Sequence, residues 1–335
     1  FLQDLVAVGG GFREAVRKRG GVSKLRCLAA RRHPHLAIQV SLGGPGHAAS
    51  WDYRIRFTQD NRQLPLLDEE TVSQNGRQIL RRPNDDDRGD PERLSQTYLE
   101  QVNANRDFRP VHQFLSTVRY LHIVPQLVRE PDRSVGRHAD PYGGDFLEQI
   151  AKTPKRARKA RLTKIAEALQ VAVPQLVRLE FWRDAKGTPH LRGKYEHWRP
   201  QGAWQTEEQF SDGTLRLLGV LWSVLEGTGP ILLEEPELSL HPAVVACLPQ
   251  VFARMTRRTG RQVFLSTHSP ELLQDDGIGL DEVILLQPER EGTAARPASS
   301  LEQVKVLLKQ GLPLPEAVLP VTQPRRAEQL MLFEV

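Results

Sequence analysis

The chain has 335 residues, 39% of them hydrophobic and 26% charged. That excludes a disordered polymer and leaves material for about two domain-sized cores. Lys and Arg number 46 against 41 Asp and Glu, a formal charge of +5 that leans toward an anionic partner. No apolar run reaches the roughly 20 residues of a bilayer span. No secretory leader is recognisable, and Cys27 and Cys247 have neither disulfide-framework nor zinc spacing. A cytoplasmic protein with no membrane contact is the expectation.

Phe1 to Val6 reads as a helix already under way, followed by loops at Gly9-Gly10-Gly11 and Gly20-Gly21. From Leu36 the apolar period becomes two. Leu36, Ile38, Val40 and Leu42, then Trp51, Tyr53, Ile55 and Phe57, predict an antiparallel hairpin. Residues 60–82 continue that sheet, with turns near Asn61 and Asn75-Gly76. Residues 83–93 read as a surface loop or linker, where Asp85-Asp86-Asp87 is a solvated run or a cation site. Helices are expected over 94–103 and 110–117, a strand over Tyr120–Val124, a loop over 129–144 and a helical block over 145–173. Two strands follow in 176–199, joined near Lys186-Gly187.

The last third alternates differently. Leu215–Leu225 is a helix, Pro230–Leu233 a buried strand and Pro242–Arg257 a helix. Gln262–Ser266 and Val283–Leu286 are further strands. This order predicts a parallel sheet with covered faces.

Three segments carry chemistry. Ile231-Leu232-Leu233-Glu234-Glu235 delivers two adjacent carboxylates at a strand exit, where open α/β sheets bind ligands. Nucleotide hydrolysis needs one carboxylate near Mg²⁺ and a second group to orient water; exposed glutamates at a strand end are the plain alternative. Ser211-Asp212-Gly213 starts a helix, as an ordinary cap or as a phosphate-receiving terminus. Phe264-Leu265-Ser266-Thr267-His268 ends a strand in small polar residues and one histidine, a structural residue or a group reaching a γ-phosphate or water.

In combination, Ser211-Asp212-Gly213, then Glu234-Glu235-Pro236-Glu237 with Leu240-His241-Pro242, then Ser266-Thr267-His268-Ser269-Pro270 resembles the C-terminal half of an ABC-type ATPase head. The wording is closest to its RecF/SMC-like and OLD-like branch, over residues 205–275. The resemblance implies an α/β, P-loop NTPase-like fold with an antiparallel β subdomain and an inserted helical lobe. It implies ATP and Mg²⁺ as cofactors and a homodimer that sandwiches ATP. Glu234 would support Mg²⁺ and Glu235 would be the general base. Ser211, Asp212 and Gly213 would contact nucleotide on the opposite protomer. Glu237 to His241 would cross the dimer interface, and His268 would sense the γ-phosphate. Gln126, after its strand, would be a Mg²⁺ or water contact, or a plain loop glutamine.

On this reading residues 1–128 are the first part of the head and 129–175 the helical lobe. Residues 176–290 are the ATPase core and 291–335 a C-terminal extension. The 335 residues contain no GxxxxGK[ST] loop; Gly9-Gly10-Gly11 and Gly193-Lys194 do not supply one. The expectation is that a strand, that loop and the start of its helix precede Phe1. The alternative is a degenerate ATPase.

Lys152, Lys155, Arg156, Arg158, Lys159, Arg161 and Lys164 share one stretch without an acid, backed by Leu162, Ile165 and Leu169. Lys155, Arg156, Arg158 and Lys159 are the candidate DNA contacts; a solvated helix face is the alternative. Relatives of the branch work in DNA repair or phage defence with an effector or nuclease partner, and such a role is expected here. The rival is a non-hydrolysing scaffold. The apolar end, Gln329–Phe333, is expected to dock on the chain itself, with a partner protein as the alternative.

Overall fold

The computed structural model describes residues 1–28, 33–44, 48–134, 140–198, 203–324 and 326–332. They form two compact units.

The first unit comprises Phe1–Val118 with Gln287–Ala294. Short helices α1 (Leu2–Val6), α2 (Phe12–Arg17) and α3 (Val22–Leu25) precede four antiparallel strands, β1 (Leu36–Leu42), β2 (Trp51–Gln59), β3 (Pro65–Gln74) and β4 (Arg77–Arg82). The predicted hairpin is present in register, Val40 opposite Tyr53 and Ile38 opposite Ile55. Tyr53, Ile55 and Phe57 face a core with Leu5, Phe12 and Val16, which α5 (Arg109–Thr117) completes through Val111 and Leu115.

Two expectations fail in this unit. Residues 83–93 are no linker. Asn84 and Asp87 form a capping box on α4 (Asp85–Gly89), and Asp87 is buried against Arg82 at 2.7 Å. The acidic run is therefore not a cation site: one of its three carboxylates is already neutralised. Nor do residues 94–103 form a helix; a 3-10 turn over Pro91–Ser95 is followed by turns. The amides of Tyr98 and Leu99 donate to the buried Glu70 carboxylate at 2.8 and 3.2 Å. The side chain thus takes the donors that an α-helix would pair with carbonyls.

The second unit comprises Arg119–Leu286 with Ala295–Val335. It opens with β5 (Arg119–Leu121), α6 (Pro125–Val128), α7 (Pro131–Ser134), α8 (Phe146–Lys152) and α9 (Lys155–Leu169). An antiparallel sheet follows, β6 (Leu176–Arg183), β7 (Pro189–Tyr195) and β8 (Ala203–Thr206), the last too short to be foreseen. Then come α10 (Asp212–Leu225), β9 (Ile231–Glu234), α11 (Pro242–Val245), α12 (Leu248–Thr259) and β10 (Val263–Ser266). Pro249 divides the helix expected over 242–257, because it has no N–H to continue the bonding.

β9 is the centre of a parallel sheet in the order β10-β9-β5. Leu121, Leu233 and Leu265 turn one face of it toward the core built by α8, α9 and α10. On the other face, Tyr120, Leu232 and Phe264 lie side by side in register, and Tyr120 and Phe264 are exposed. Val283–Leu286 was expected as a third parallel strand. Instead β11 (Ile284–Glu289) pairs with β12 (Gly292–Pro297), with Ile284 and Leu286 exposed, and β5 takes the third place. Helices α13 (Glu302–Lys309) and α14 (Leu314–Thr322) build a small core of their own around Val304, Ala317 and Val318. At the C-terminal end Met331 and Leu332 are 83% and 76% exposed, so the expected self-docking does not occur there; Phe333 lies outside the described residues. Among the described residues no helix is long and apolar enough to cross a membrane.

Candidate functional site

The candidate residues gather at the C-terminal edge of the parallel sheet, within the second unit. Glu234 is the last residue of β9, opposite Ser266 of β10. Its carboxylate accepts a hydrogen bond from the Tyr120 hydroxyl, and its carbonyl lies 3.3 Å from His122 Nδ1. Burial and the Glu234 bond both push the Tyr120 phenol above its ordinary pKa, so it stays a proton donor.

Glu235 leaves the strand with φ of +41°, a left-handed conformation uncommon for any residue but glycine. Its backbone is held on both sides. The amide donates to the Ser266 carbonyl at 3.0 Å, and the carbonyl accepts from Arg216 at 3.5 Å. This bend separates the two adjacent glutamates. Glu235 Oε1 comes within 3.9 Å of His268 Nε2, whose side chain is 90% exposed. Glu237 is buried and accepts from Thr267 Oγ1, tying the segment after β9 to the segment after β10. Its second oxygen and Arg216 Nε have no hydrogen-bond partner among the described residues. Burial lowers the Arg216 pKa, against the opposing fields of Asp212, Glu235 and Glu237.

The start of α10 adjoins this edge. Ser211 Oγ accepts from the Thr214 amide at 3.1 Å and bonds Thr214 Oγ1 at 2.8 Å. Ser211 is therefore the helix cap in the structure as it stands. Asp212 is held by Arg129 at 2.6 Å and by Gln126 Nε2 at 3.3 Å, so two segments 86 residues apart meet here. Gly213 faces the segment after β9: a Cβ there would lie 2.5 Å from the Ser239 carbonyl oxygen. Replacing Gly213 with Ala is expected to destabilise the second unit by about 1–3 kcal/mol. Denaturant unfolding would measure the loss; an unchanged midpoint would show that the Ser239 loop yields freely.

The sequence reading missed Tyr120, Arg129 and Arg216. A signal existed for the last: Arg216 interrupts the apolar run Leu215-Leu217-Leu218, and a charge on a buried helix face needs partners. Tyr120 and Arg129 reach the site only through the fold.

The donors at this edge are carboxylate, hydroxyl and amide oxygens, the hard ligands that suit Mg²⁺. No cluster of three or more His, Cys, Asp or Glu side chains able to hold a metal occurs among the described residues.

The basic segment is only partly a free surface. Lys155, Arg156 and Lys159 are exposed on α9. Arg158, expected with them as a DNA contact, turns inward. Its guanidinium lies 4.0 Å from the Phe181 ring centre and donates to the Ala151 carbonyl at 2.9 Å, closing the end of α8. Its stem and charge are used in packing, which removes it from the candidate set.

Residues 1–274 match the model of the family described as "AAA domain, putative AbiEii toxin, Type IV TA system", and the chain belongs to that family of AAA-type ATPase domains. Among solved structures it is similar to an SMC head bound to the C-terminal winged-helix domain of ScpA: 11% identity, 88% of this chain and 83% of that one, TM-score 0.48. A second is the Smc head with an extended coiled coil from Pyrococcus furiosus, bound to the C-terminal domain of ScpA, at 10% identity, 93% and 89% coverage and TM-score 0.45. The SMC head domain from Thermotoga maritima is 13% identical over 77% and 78% of the two chains, TM-score 0.35. No curated protein matches the chain significantly.

Proposed function

We propose that the protein is a Mg-ATP-dependent ATPase whose heads pair around nucleotide and drive a DNA-related process, in phage defence or DNA repair, with an effector or nuclease partner. The observation that carries this reading is the convergence of Glu234, Glu235 and His268 on one sheet edge. Glu234 would hold Mg²⁺ with Gln126, and Glu235 would take the proton of the attacking water. His268 would lie against the terminal phosphate, and Ser211, Asp212 and Gly213 would meet nucleotide on a second copy. The ion, when bound, would neutralise charge developing on the phosphate oxygens. Lys155, Arg156 and Lys159 are the cations of α9 left for DNA. A cytoplasmic location accords with the reading.

The test is ATP turnover of the full-length protein with and without Mg²⁺, alongside its mass in solution with and without ATP. Turnover that requires Mg²⁺ and a mass that doubles with ATP are expected. Absent turnover with intact DNA binding through α9 would favour a non-hydrolysing scaffold instead.

Tyr120 makes this site tunable. Its hydroxyl occupies one oxygen of Glu234, so an ion must compete with it. Tyr120→Phe is expected to lower the Mg²⁺ concentration for half-maximal turnover by about one to two orders of magnitude, one hydrogen bond to a charged group contributing about 1.5–3 kcal/mol. A Mg²⁺ titration of the variant checks this; an unchanged or raised half-point would show that Tyr120 assists Glu234.

A further inference from the structure

The positive charge of the chain is concentrated in one stretch of sequence. Residues 152–206 hold 13 Lys or Arg against 4 Asp or Glu, a larger excess than that of the whole chain. The basic stretch on α9 is half of this; the antiparallel sheet β6-β7-β8 carries most of the rest. Leu179, Phe181 and Leu191 turn one face of that sheet to the core, where Leu162, Ile165 and Leu169 of α9 pack. The opposite face carries Arg178, Glu180, Arg192 and Lys194 together with Trp182 and Trp204.

Register fixes what lies on it. Arg178, Lys194 and Trp204 stand directly opposite one another across the three strands, and Glu180 and Arg192 form the next row. The Arg192 guanidinium lies 4.4 Å from the Trp204 ring centre, and that of Arg178 lies 5.9 Å from it. Glu180 pairs with both arginines and is the sole acid in these two rows. Lys194 has no ion-pair partner among the described residues. The Arg178 and Arg192 side chains remain 61% and 42% exposed, and Trp204 is 39% exposed.

We infer that the outer face of β6-β7-β8 binds single-stranded nucleic acid. A single strand offers phosphates to the excess cations and unstacked bases to the Arg192–Trp204 pair, since both guanidinium planes and indoles stack on bases. A duplex offers the phosphates alone, its base faces being buried. An acidic protein segment would leave the indole without a matching flat partner. The proposal is independent of ATP hydrolysis, and its test uses no nucleotide, so either reading can fail alone.

The experiment is fluorescence anisotropy of a fluorescein-labelled oligothymidylate of about 20 nucleotides, longer than one small binding face occupies. The full-length protein is titrated over a series of salt concentrations. Arg178→Ala with Lys194→Ala should reduce the log–log salt slope by about 1.4, roughly 0.7 for each phosphate no longer neutralised. Trp204→Ala should weaken binding on the order of tenfold with little change of slope. Lys194→Glu breaks no ion pair and keeps the test decisive should Trp204→Ala fold poorly; it too should weaken binding. Any of four results would overturn the proposal. The oligonucleotide does not bind, or all these variants bind normally. A duplex of equal length binds as tightly, or polyglutamate competes equally well, which would mark an acidic protein surface.

Discussion

Replacing Glu235 with Gln in the full-length protein is expected to cut ATP turnover by about 10²–10⁴-fold, the usual contribution of a positioned general base. Glutamine keeps the size of the side chain and cannot accept the proton. The geometry favours a clean result. The bend at residue 235 is fixed by its own backbone bonds to Ser266 and Arg216, which the substitution leaves in place. The side chain is about one-third exposed, and the exposed His268 lies 3.9 Å from it. The melting temperature should therefore stay close to that of the parent. With binding intact and hydrolysis blocked, an ATP-dependent dimer should accumulate in light-scattering measurements. Turnover at the parental rate would remove Glu235 from the base role and the proposed mechanism with it.

The largest effect on stability is expected at Arg82, a residue of the first unit that takes no part in the proposed chemistry. Its side chain is fully buried and makes five hydrogen bonds: to Asp87 at 2.7 and 3.0 Å, to Glu70 at 3.1 Å, and to the carbonyls of Arg93 and Gln96 at 3.0 and 2.8 Å. The Tyr98 ring lies 3.9 Å from the guanidinium. Arg82→Met fills similar volume but takes the shared guanidinium from two buried carboxylates, leaving Glu70 with no cation and Asp87 with Arg93 alone at 3.5 Å, a loss of about 3–5 kcal/mol.

The loss should also depend on pH. Burial pushes the Asp87 carboxyl up, but its bonds to Arg82 and the Asn84 amide, with the charges of Arg82 and Arg93, together hold it below its ordinary value. Burial dominates at Glu70 and leaves that carboxyl raised, although Arg82 and two backbone amides oppose it. Without Arg82, the backbone amides still oppose burial at Glu70, and the Asn84 amide and Arg93 at Asp87, but the guanidinium no longer does, and both pKa values rise. An acid whose folded pKa is raised loses folded-state stability as pH climbs through that value. The variant's deficit should therefore be smaller at about pH 5 than at about pH 8, conditions that bracket a raised carboxylate pKa. Urea midpoints at the two pH values check the sign. A deficit independent of pH would mean that the acids relax into water.

What the sequence could reveal follows the range of the interactions. The hairpin at 36–57, helix α10 and strands β9 and β10 were legible because their apolar periods are local. The Ser211 cap was legible for the same reason. The place of Val283–Leu286 was not: four apolar residues announce a strand but not its neighbours, and β5 occupies the position beside β9. The turns over 94–103 are dictated by Glu70, which lies about 28 residues earlier in the chain. Arg158 looked like one more solvated cation because its partners, Phe181 and the end of α8, come from packing. The site divides in the same way. Glu234, Glu235, Asp212 and His268 stand in recognisable strings, whereas the groups that hold them, Tyr120, Arg129 and Arg216, stand in none.

The left-handed bend at Glu235 has an evolutionary corollary. A residue with a Cβ held in that region costs the fold about 1–2 kcal/mol, which glycine would not incur. Selection for thermal endurance alone would thus favour glycine at 235, discarding the carboxylate and relaxing the backbone in one step. Keeping glutamate there sets thermostability against whatever the carboxylate does. Consensus-style stabilisation of this protein would be at its most misleading at the one position where the gain is easiest to obtain.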